Sequence, residues 1–394
     1  MFHGLAISAI SMGLLAAAVG YSASFAIVLA GLTAMGAGYE QAATGLFFAT
    51  LGMGICSIWL PAATRIPAAV AWSTPGAAFL AVTEKLPGGF NEAVGALILC
   101  AGLIVVTGFI PALGRIVAAI PKPIASALLA GVLFKLCLAP AQALGTIPHL
   151  ALPVLVAWLI GLTWNKLAAM PFAVIAFLGV LYFNVGETGN AEQTATSWLP
   201  ALQPVAPVFS IQSLISIALP LYLVTMAGQN IPGFAVLELN GYVVVRQPMI
   251  RKTGLVSLVV APFGSIPVNM SAITAAMMAG EDAGRDPSFR YWAAITSGIV
   301  YILLAFAATL ATLLSSIAPL HLITAVAGLA LIPALIASIS AALTEPNQLE
   351  APAITFLIAA SGMTLLGISG AFWGVVAGVL IWAVKRLKDQ LSQT

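Results

Sequence analysis

Apolar positions in this chain come in long blocks, and Pro/Gly clusters and isolated charges mark the joints between them. With those joints as punctuation, the pattern predicts helices near 5–34, 41–63, 68–84, 91–110, 121–141, 148–164 and 168–186 in the first half. In the second half it predicts 211–236, 249–264, 267–280, 290–314, 319–343, 351–367 and 370–388. A helix crosses a bilayer with about 20 apolar residues, and blocks of that order recur from end to end. A membrane β-barrel would show short alternating segments instead. The expected fold is an all-α polytopic membrane protein of 14 transmembrane segments, with the third and tenth short and irregular.

Composition agrees. Hydrophobic residues make up 61% of the 394 positions and Asp, Glu, Lys and Arg only 7%, where a soluble domain carries about a quarter charged residues. The first block begins at Leu5 with no Lys or Arg before it. A cleavable signal peptide has a basic start, so a retained first helix is expected. Cys56, Cys100 and Cys137 are widely spaced in apolar segments, which argues for packing rather than disulfides or metal. Basic residues are too sparse for nucleic acid, and nothing calls for a cofactor.

Charge sets the orientation. With the N-terminus inside, twelve of the 14 Lys and Arg fall on the cytoplasmic side, and only Lys85 and Lys135 lie across the membrane. This is the asymmetry expected of a cytoplasmic face. The longest loop, 187–210, holds Glu187 and Glu192 but no basic residue, as an external segment should. The termini are both expected in the cytoplasm.

The two halves resemble each other at an offset near 200. Arg65-Ile66-Pro67 matches Ser265-Ile266-Pro267, Thr74 matches Thr274, and SALLAGVL at 126–133 resembles TAVAGLAL at 324–331. Seven spans per half is odd, so the second half is expected upside down, an inverted repeat of the kind transporters use. The organisation is then a first repeat (1–186), an external linker (187–210), a second repeat (211–388) and a cytoplasmic tail (389–394), with core and gate parts drawn from both repeats.

AVAWSTPGAAFLA, residues 69–81, breaks an apolar run with a turn. Non-helical backbone in lipid leaves amides unpaired and survives only where protein or a water-filled cavity lines it. Val70-Ala71-Trp72 reads as extended chain. Ser73 or Thr74 suits a helix cap and Pro75 its first turn, while Gly76 would let a ligand approach the backbone. PFGSIPVNMSAITAAMM, residues 262–278, has the same grammar, with Asn269 or Ser271 as cap and Thr274 in the helix. Each expected segment is a short extended stretch plus a half-helix. Two half-helices with facing N-termini make an anion site without a buried Arg. The alternative is a pair of ordinary kinks.

Tyr222, Thr225 and Gln229 share one face of the eighth span, and Gln229-Asn230 is costly to bury unpaired. They are candidates for substrate contact or an interhelical clasp. Tyr21 and Ser24 share a face of the first span and are site-lining candidates. Trp72 is an aromatic wall or an interfacial anchor. Glu92, after Asn91 at the start of the fourth span, is a helix cap or a proton-coupling residue. His149 and His321 read as structural, and the remaining acids fall at loops or span ends.

With AWSTPGAAFL, FNEAVGALI, LPLYLVTMAGQNIPG, the SAITAAM run and FLIAASGMTLLGISGAFWGVVAG (356–378), nearly the whole chain resembles the benzoate transporter (BenE) family. The resemblance implies a bacterial inner-membrane transporter that takes up benzoate with protons. It also implies the seven-plus-seven inverted-repeat fold of the uracil and nucleobase transporters. Those distant relatives carry glutamates in the eighth and tenth spans, where this chain reads AGQNIPG and NMSAIT. An acid-free pocket suits an anionic substrate. The expected partners are a benzoate-like anion, protons and the lipid bilayer, and a homodimer is an allowed assembly. The competing readings are a nucleobase or inorganic-anion transporter of the same fold and a passive anion channel. No metal-ligand spacing, nucleophile turn or acid pair points to an enzyme.

Overall fold

The computed structural model describes residues 2–184, 200 and 202–392. Residues 187–199 and 201 of the expected linker, and the end of the expected tail, lie outside the described residues. The first half runs through α1 (Phe2–Ser22), α2 (Phe25–Ala34), α3 (Tyr39–Thr64), β1 (Val70–Trp72), α4 (Thr74–Val82) and α5 (Gly89–Phe109). It continues with α6 (Pro111–Ala119), α7 (Lys122–Cys137), α8 (Ala139–Thr146), α9 (Pro148–Trp164) and α10 (Ala169–Phe183).

The second half opens on a long rod, Ile211–Leu239, made of α11 (Ile211–Ser213), α12 (Leu219–Thr225) and α13 (Ile231–Leu239) joined by π turns. It goes on to α14 (Arg246–Val260), β2 (Val268–Met270), α15 (Ala272–Ala279), α16 (Tyr291–Ala305) and α17 (Ala308–Ile317). It ends with α18 (Leu320–Ala342), α19 (Glu350–Ser361), β3 (Thr364–Leu365), β4 (Ile368–Ser369) and α20 (Gly370–Ser392).

Among the described residues, eight rods are long and apolar enough to cross a bilayer: Ile7–Ala34, Tyr39–Thr64, Gly89–Phe109, Lys122–Thr146, Ile211–Leu239, Pro287–Ala305, Leu320–Ala342 and Gly370–Lys388. The other expected segments fall on the shorter helices α4, α9, α10, α14, α15 and α19. Several boundaries move. The first rod is interrupted at Ala23–Ser24, and the segment expected to reach 367 stops at Ser361. There, Leu366 and Gly367 both take positive φ and close a two-residue β3–β4 hairpin, the conformation such tight turns require.

The halves interleave. α3 packs along α16, α5 along α14 and α7 along α18, so each of these pairings joins the first half to the second. Lipid offers helices no hydrophobic drive to associate, so close backbone approach over small residues supplies the contact. At the α3–α16 crossing, a Cβ on Gly54 would lie 2.9 Å from the Gly298 carbonyl oxygen, and one on Gly298 would lie 2.8 Å from that of Gly54.

Between these helices the two extended stretches meet. β1 and β2 pair antiparallel, Val70 opposite Met270, Ala71 opposite Asn269 and Trp72 opposite Val268. Backbone bonds Ser73 N to Pro267 O (2.9 Å) and Ser271 N to Ala69 O (3.0 Å) extend the ribbon. Its two outer edges are closed by serines from the preceding helices. Ser57 Oγ on α3 accepts from Val70 N at 3.3 Å, and Ser257 Oγ on α14 accepts from Val268 N at 2.9 Å. The same device therefore occurs twice, at positions 200 apart on the helices and 198 apart on the strands. The offset slips after Pro67 and Pro267 because the first half carries two more residues there. Thr74 thus corresponds to Ala272, and the pairing of Thr74 with Thr274 expected from sequence is displaced.

Two prolines shape the rod Ile211–Leu239. Each π turn, Leu214–Ala218 and Met226–Asn230, ends just ahead of one, Pro220 or Pro232. Proline has no N–H for the carbonyl four residues back. The carbonyl freed by Pro220, that of Ser216, instead accepts from Ser369 Oγ at 3.2 Å.

The α3–α16 crossing yields a prediction. Gly298→Ala should lower stability by about 1–3 kcal/mol, the range for overpacking a closed contact. Gly102→Ala, with nothing within 4 Å of the added Cβ, should leave it within about 0.5 kcal/mol. Thermal unfolding of the two variants in detergent measures the difference.

Candidate functional site

Each end of the ribbon starts one half-helix, and the caps are serines. Ser73 Oγ accepts from Gly76 N (3.2 Å) at α4, and Ser271 Oγ accepts from Thr274 N (3.5 Å) at α15. Of the paired sequence candidates, Thr74 and Asn269 are therefore not the caps. Thr74 opens α4 with its side chain half-exposed. Asn269 sits fully buried in β2, its amide oxygen facing Ser73 N (3.1 Å) and its nitrogen donating to Met270 O (2.8 Å). No described hydrogen bond takes up the first-turn amides of Thr74, Ala272 and Ile273. These are the free donors that a helix N-terminus offers to an anion.

The far ends of the half-helices are also tied down. Thr83 Oγ1 donates to Phe79 O at 2.7 Å on α4. On α15, the buried Arg290 guanidinium donates to Ala279 O (2.6 Å) and Gly284 O (2.7 Å). A cation at a helix C-terminus also complements its dipole.

The rod Ile211–Leu239 packs across the ribbon and supplies polar partners. The Ser73 and Thr225 hydroxyls share a hydrogen bond of 2.8 Å, and Asn230 Oδ1 accepts from Met270 N at 3.0 Å. Tyr222 points elsewhere, sharing a bond of 2.6 Å with Thr107 on α5, a residue the sequence reading did not single out. Sequence spacing put Gln229 on the face of Tyr222 and Thr225. The π turn at Met226–Asn230 widens the helix by a residue, so the buried Asn230 occupies that face and Gln229 is half-exposed beside it.

The first helical rod contributes an aromatic wall. Trp72, 1% exposed, donates from Nε1 to Ser24 Oγ (2.8 Å), and Ser24 Oγ donates to Gly20 O (2.8 Å). This buried bond places Trp72 inside the protein and removes the interfacial-anchor alternative. Tyr21 lies 5.4 Å from the Trp72 ring and stacks on Phe25 at 5.8 Å. The Tyr21 hydroxyl and Thr274 Oγ1 are buried without a partner among the described residues.

Gly76 has a different role from the one its sequence position suggested. A Cβ there would lie 2.6 Å from both Leu221 Cδ1 and Ser73 Oγ. The missing side chain makes room for protein packing and for the cap itself, not for a ligand against the backbone. Glu92 stands apart from the ribbon, at the start of α5. It is buried, Oε2 accepts from Gly88 N (2.8 Å), and Oε1 accepts from the Ser210 hydroxyl. Ser210 caps the rod Ile211–Leu239, so this carboxylate ties α5 to the element that reaches Ser73 and Met270. The cysteines are unpaired, and no His/Cys/Asp/Glu group among the described residues has the arrangement of a metal site.

The profile of a protein family described as "Benzoate membrane transport protein" matches residues 4–384. A protein of Escherichia coli (strain K12) named "Inner membrane protein YdcO" is 36% identical over 376 residues, covering 95% of each chain. The "Benzoate membrane transport protein" of Acinetobacter baylyi is 33% identical over 386 residues, 98% of this chain and 97% of that one. Among solved structures, the transmembrane domain of the cyanobacterial bicarbonate transporter BicA superposes with a TM-score of 0.63 at 16% identity, over 94% of this chain and 97% of that one. SLC26A9 superposes with a TM-score of 0.61 at 13% identity, over 95% of this chain and 66% of that one. These structural likenesses concern the fold.

The two neighbouring amides, Gln229 and Asn230, should separate by experiment. Asn230→Leu leaves the buried Met270 N–H unpaired and should cost about 1–3 kcal/mol. Gln229→Leu, at a half-exposed position with no described hydrogen bond, should leave stability within about 0.5 kcal/mol. Thermal unfolding of the purified variants distinguishes them, and the reverse order would contradict the π-turn register.

Proposed function

The chain belongs to the benzoate membrane transport protein family, and on that premise we propose that it imports benzoate or a similar aromatic carboxylate by proton symport through alternating access. The observation that carries this reading is the pair of half-helices starting from opposite ends of one antiparallel ribbon. Free amides of Thr74, Ala272 and Ile273 at those ends suit a carboxylate, and the half-exposed Thr74 and Gln229 give it access. Trp72 and Tyr21 supply a wall for an aromatic ring. The polar residues in and around the ribbon, Ser73, Thr225, Asn230, Asn269, Ser271 and Thr274, include no acid that would repel an anion.

In this reading the eight long rods and six shorter helical segments form fourteen crossings, seven per inverted repeat. The repeated serine closure at Ser57 and Ser257 supports the duplication. Both termini lie in the cytoplasm of a bacterial inner membrane. One part of each repeat rocks against the other and exposes the ribbon to each side in turn.

Coupling follows from electrostatics. Moving one negative charge inward against an inside-negative potential of 100 mV costs about 2.3 kcal/mol. A co-transported proton cancels that cost and adds the pH gradient. Glu92 is a candidate carrier, because its carboxylate clasps both Gly88 and the cap of the rod that contacts the ribbon. Protonation would weaken its acceptance from the Ser210 hydroxyl and loosen that rod.

Uptake of labelled benzoate into proteoliposomes, with and without an imposed inward proton gradient, tests the proposal. Accumulation driven by the gradient is expected. Equilibration without accumulation would favour a channel, and no uptake would assign another substrate. Glu92→Gln should reduce gradient-driven accumulation at least tenfold while leaving benzoate exchange measurable.

A further inference from the structure

Away from the ribbon, a cavity of about 620 Å³ opens among α2, α3, α4, α17, α18 and the end of α7. Its size is that of a small-molecule pocket. It adjoins the Gly36–Gly38 turn and the start of α18, on the side that the charge distribution places outside. Its lining includes Leu29, one helical turn from Phe25, and Phe25 stacks on Tyr21 beside Trp72.

The chemistry of the lining differs from that of the ribbon. No charged side chain lines the cavity. Four of its five hydroxyls spend their protons on backbone carbonyls: Tyr39 on Thr309 O (3.3 Å), Thr312 on Ala308 O (2.8 Å), Ser315 on Ala311 O (2.9 Å) and Thr324 on Leu320 O (3.0 Å), while the Thr33 hydroxyl has no described hydrogen bond. A hydroxyl has one proton to give, so these four can only accept from a ligand. A carboxylate here would lose water and meet four committed acceptors, with only the Thr33 hydroxyl left to donate to it. A carboxylic acid brings its own O–H donor, and its ring meets Leu29, Ala81, Leu136 and Ile323.

We propose that this cavity is an outer chamber that binds the aromatic acid in its uncharged, protonated form, so that substrate and proton enter together before the carboxylate passes to the half-helix amides and the proton to its carrier. The inference rests on the transport reading above and deepens it by naming the form of the substrate admitted. The titratable groups near the chamber are Tyr39 and Glu40 on α3, and Glu84 and Lys85 beyond α4. On the remaining elements they are Lys135 and Cys137 on α7, and His321 on α18. Neither ammonium is part of the lining: Lys85 lies over Gly36 at the edge of the cavity, and Lys135 lies against Gly362.

The test uses right-side-out membrane vesicles and a Cys137→Ala background, in which the remaining cysteines, Cys56 and Cys100, are buried. Thr33→Cys and Ala30→Cys, at two depths of the chamber, are labelled from outside with a membrane-impermeant maleimide. Benzamide, neutral throughout, should slow labelling equally at pH 5.5 and 7.5, which also controls for protonation of His321. Benzoate should protect at an about 100-fold lower total concentration at pH 5.5, because an acid with a pKa near 4 is about 100-fold more protonated there.

Benzoate protection independent of pH, failure of benzamide to protect, or no labelling from outside would each overturn the inference. Benzoate uptake measured in the same vesicles separates the two readings. Uptake without protection removes only the chamber, whereas no uptake by the parent protein removes the transport reading and this inference with it.

Discussion

Extended backbone within a bilayer must find every hydrogen bond inside the protein, because lipid offers none and each unpaired group costs several kcal/mol. The three-residue strands β1 and β2 meet that demand by pairing with each other. Neither could persist alone. A ribbon of two strands still has two open edges; Ser57 bonds Val70 on one, and Ser257 and Asn230 bond Val268 and Met270 on the other. The ribbon therefore requires α3 and α14 on its flanks, and these helices in turn pack against α16 and α5 from the opposite halves of the chain.

That requirement explains why the polar side chains of this protein gather where they do. Asn230, Thr225 and Asn269 would be costly in hydrocarbon, yet each bonds a ribbon atom or a cap. The bonds leave the first-turn amides of the half-helices as unspent donors. A site built from backbone dipoles needs no buried cation, so it can bind an anion without trapping a permanent charge in the membrane. The outer chamber, uncharged and with four of its five hydroxyls committed to backbone carbonyls, has a different chemistry.

Local chemistry and tertiary packing made different contributions at particular residues. The break at 73–76 was legible because Ser, Thr, Pro and Gly each have a stated preference at a helix start, and extended chain before it followed from Val70-Ala71-Trp72. The choice of Ser73 over Thr74 as cap was not, since both hydroxyls can accept and only the surroundings, Gly76 and Thr225, select one. Gly76 misled because a glycine reports only that space is needed. Leu221 and the Ser73 hydroxyl fill that space.

The sequence by itself determined the membrane class, the helical blocks and the two interrupted segments, because hydrophobicity, proline geometry and capping act over a few neighbouring residues. Only the tertiary structure decided that β1 and β2 pair with each other, Val70 opposite Met270. It alone decided that a π turn hands the buried position to Asn230 rather than Gln229, and that Tyr222 turns to Thr107. Those outcomes depend on which backbone groups meet across some 200 residues of chain. No local preference carries that information.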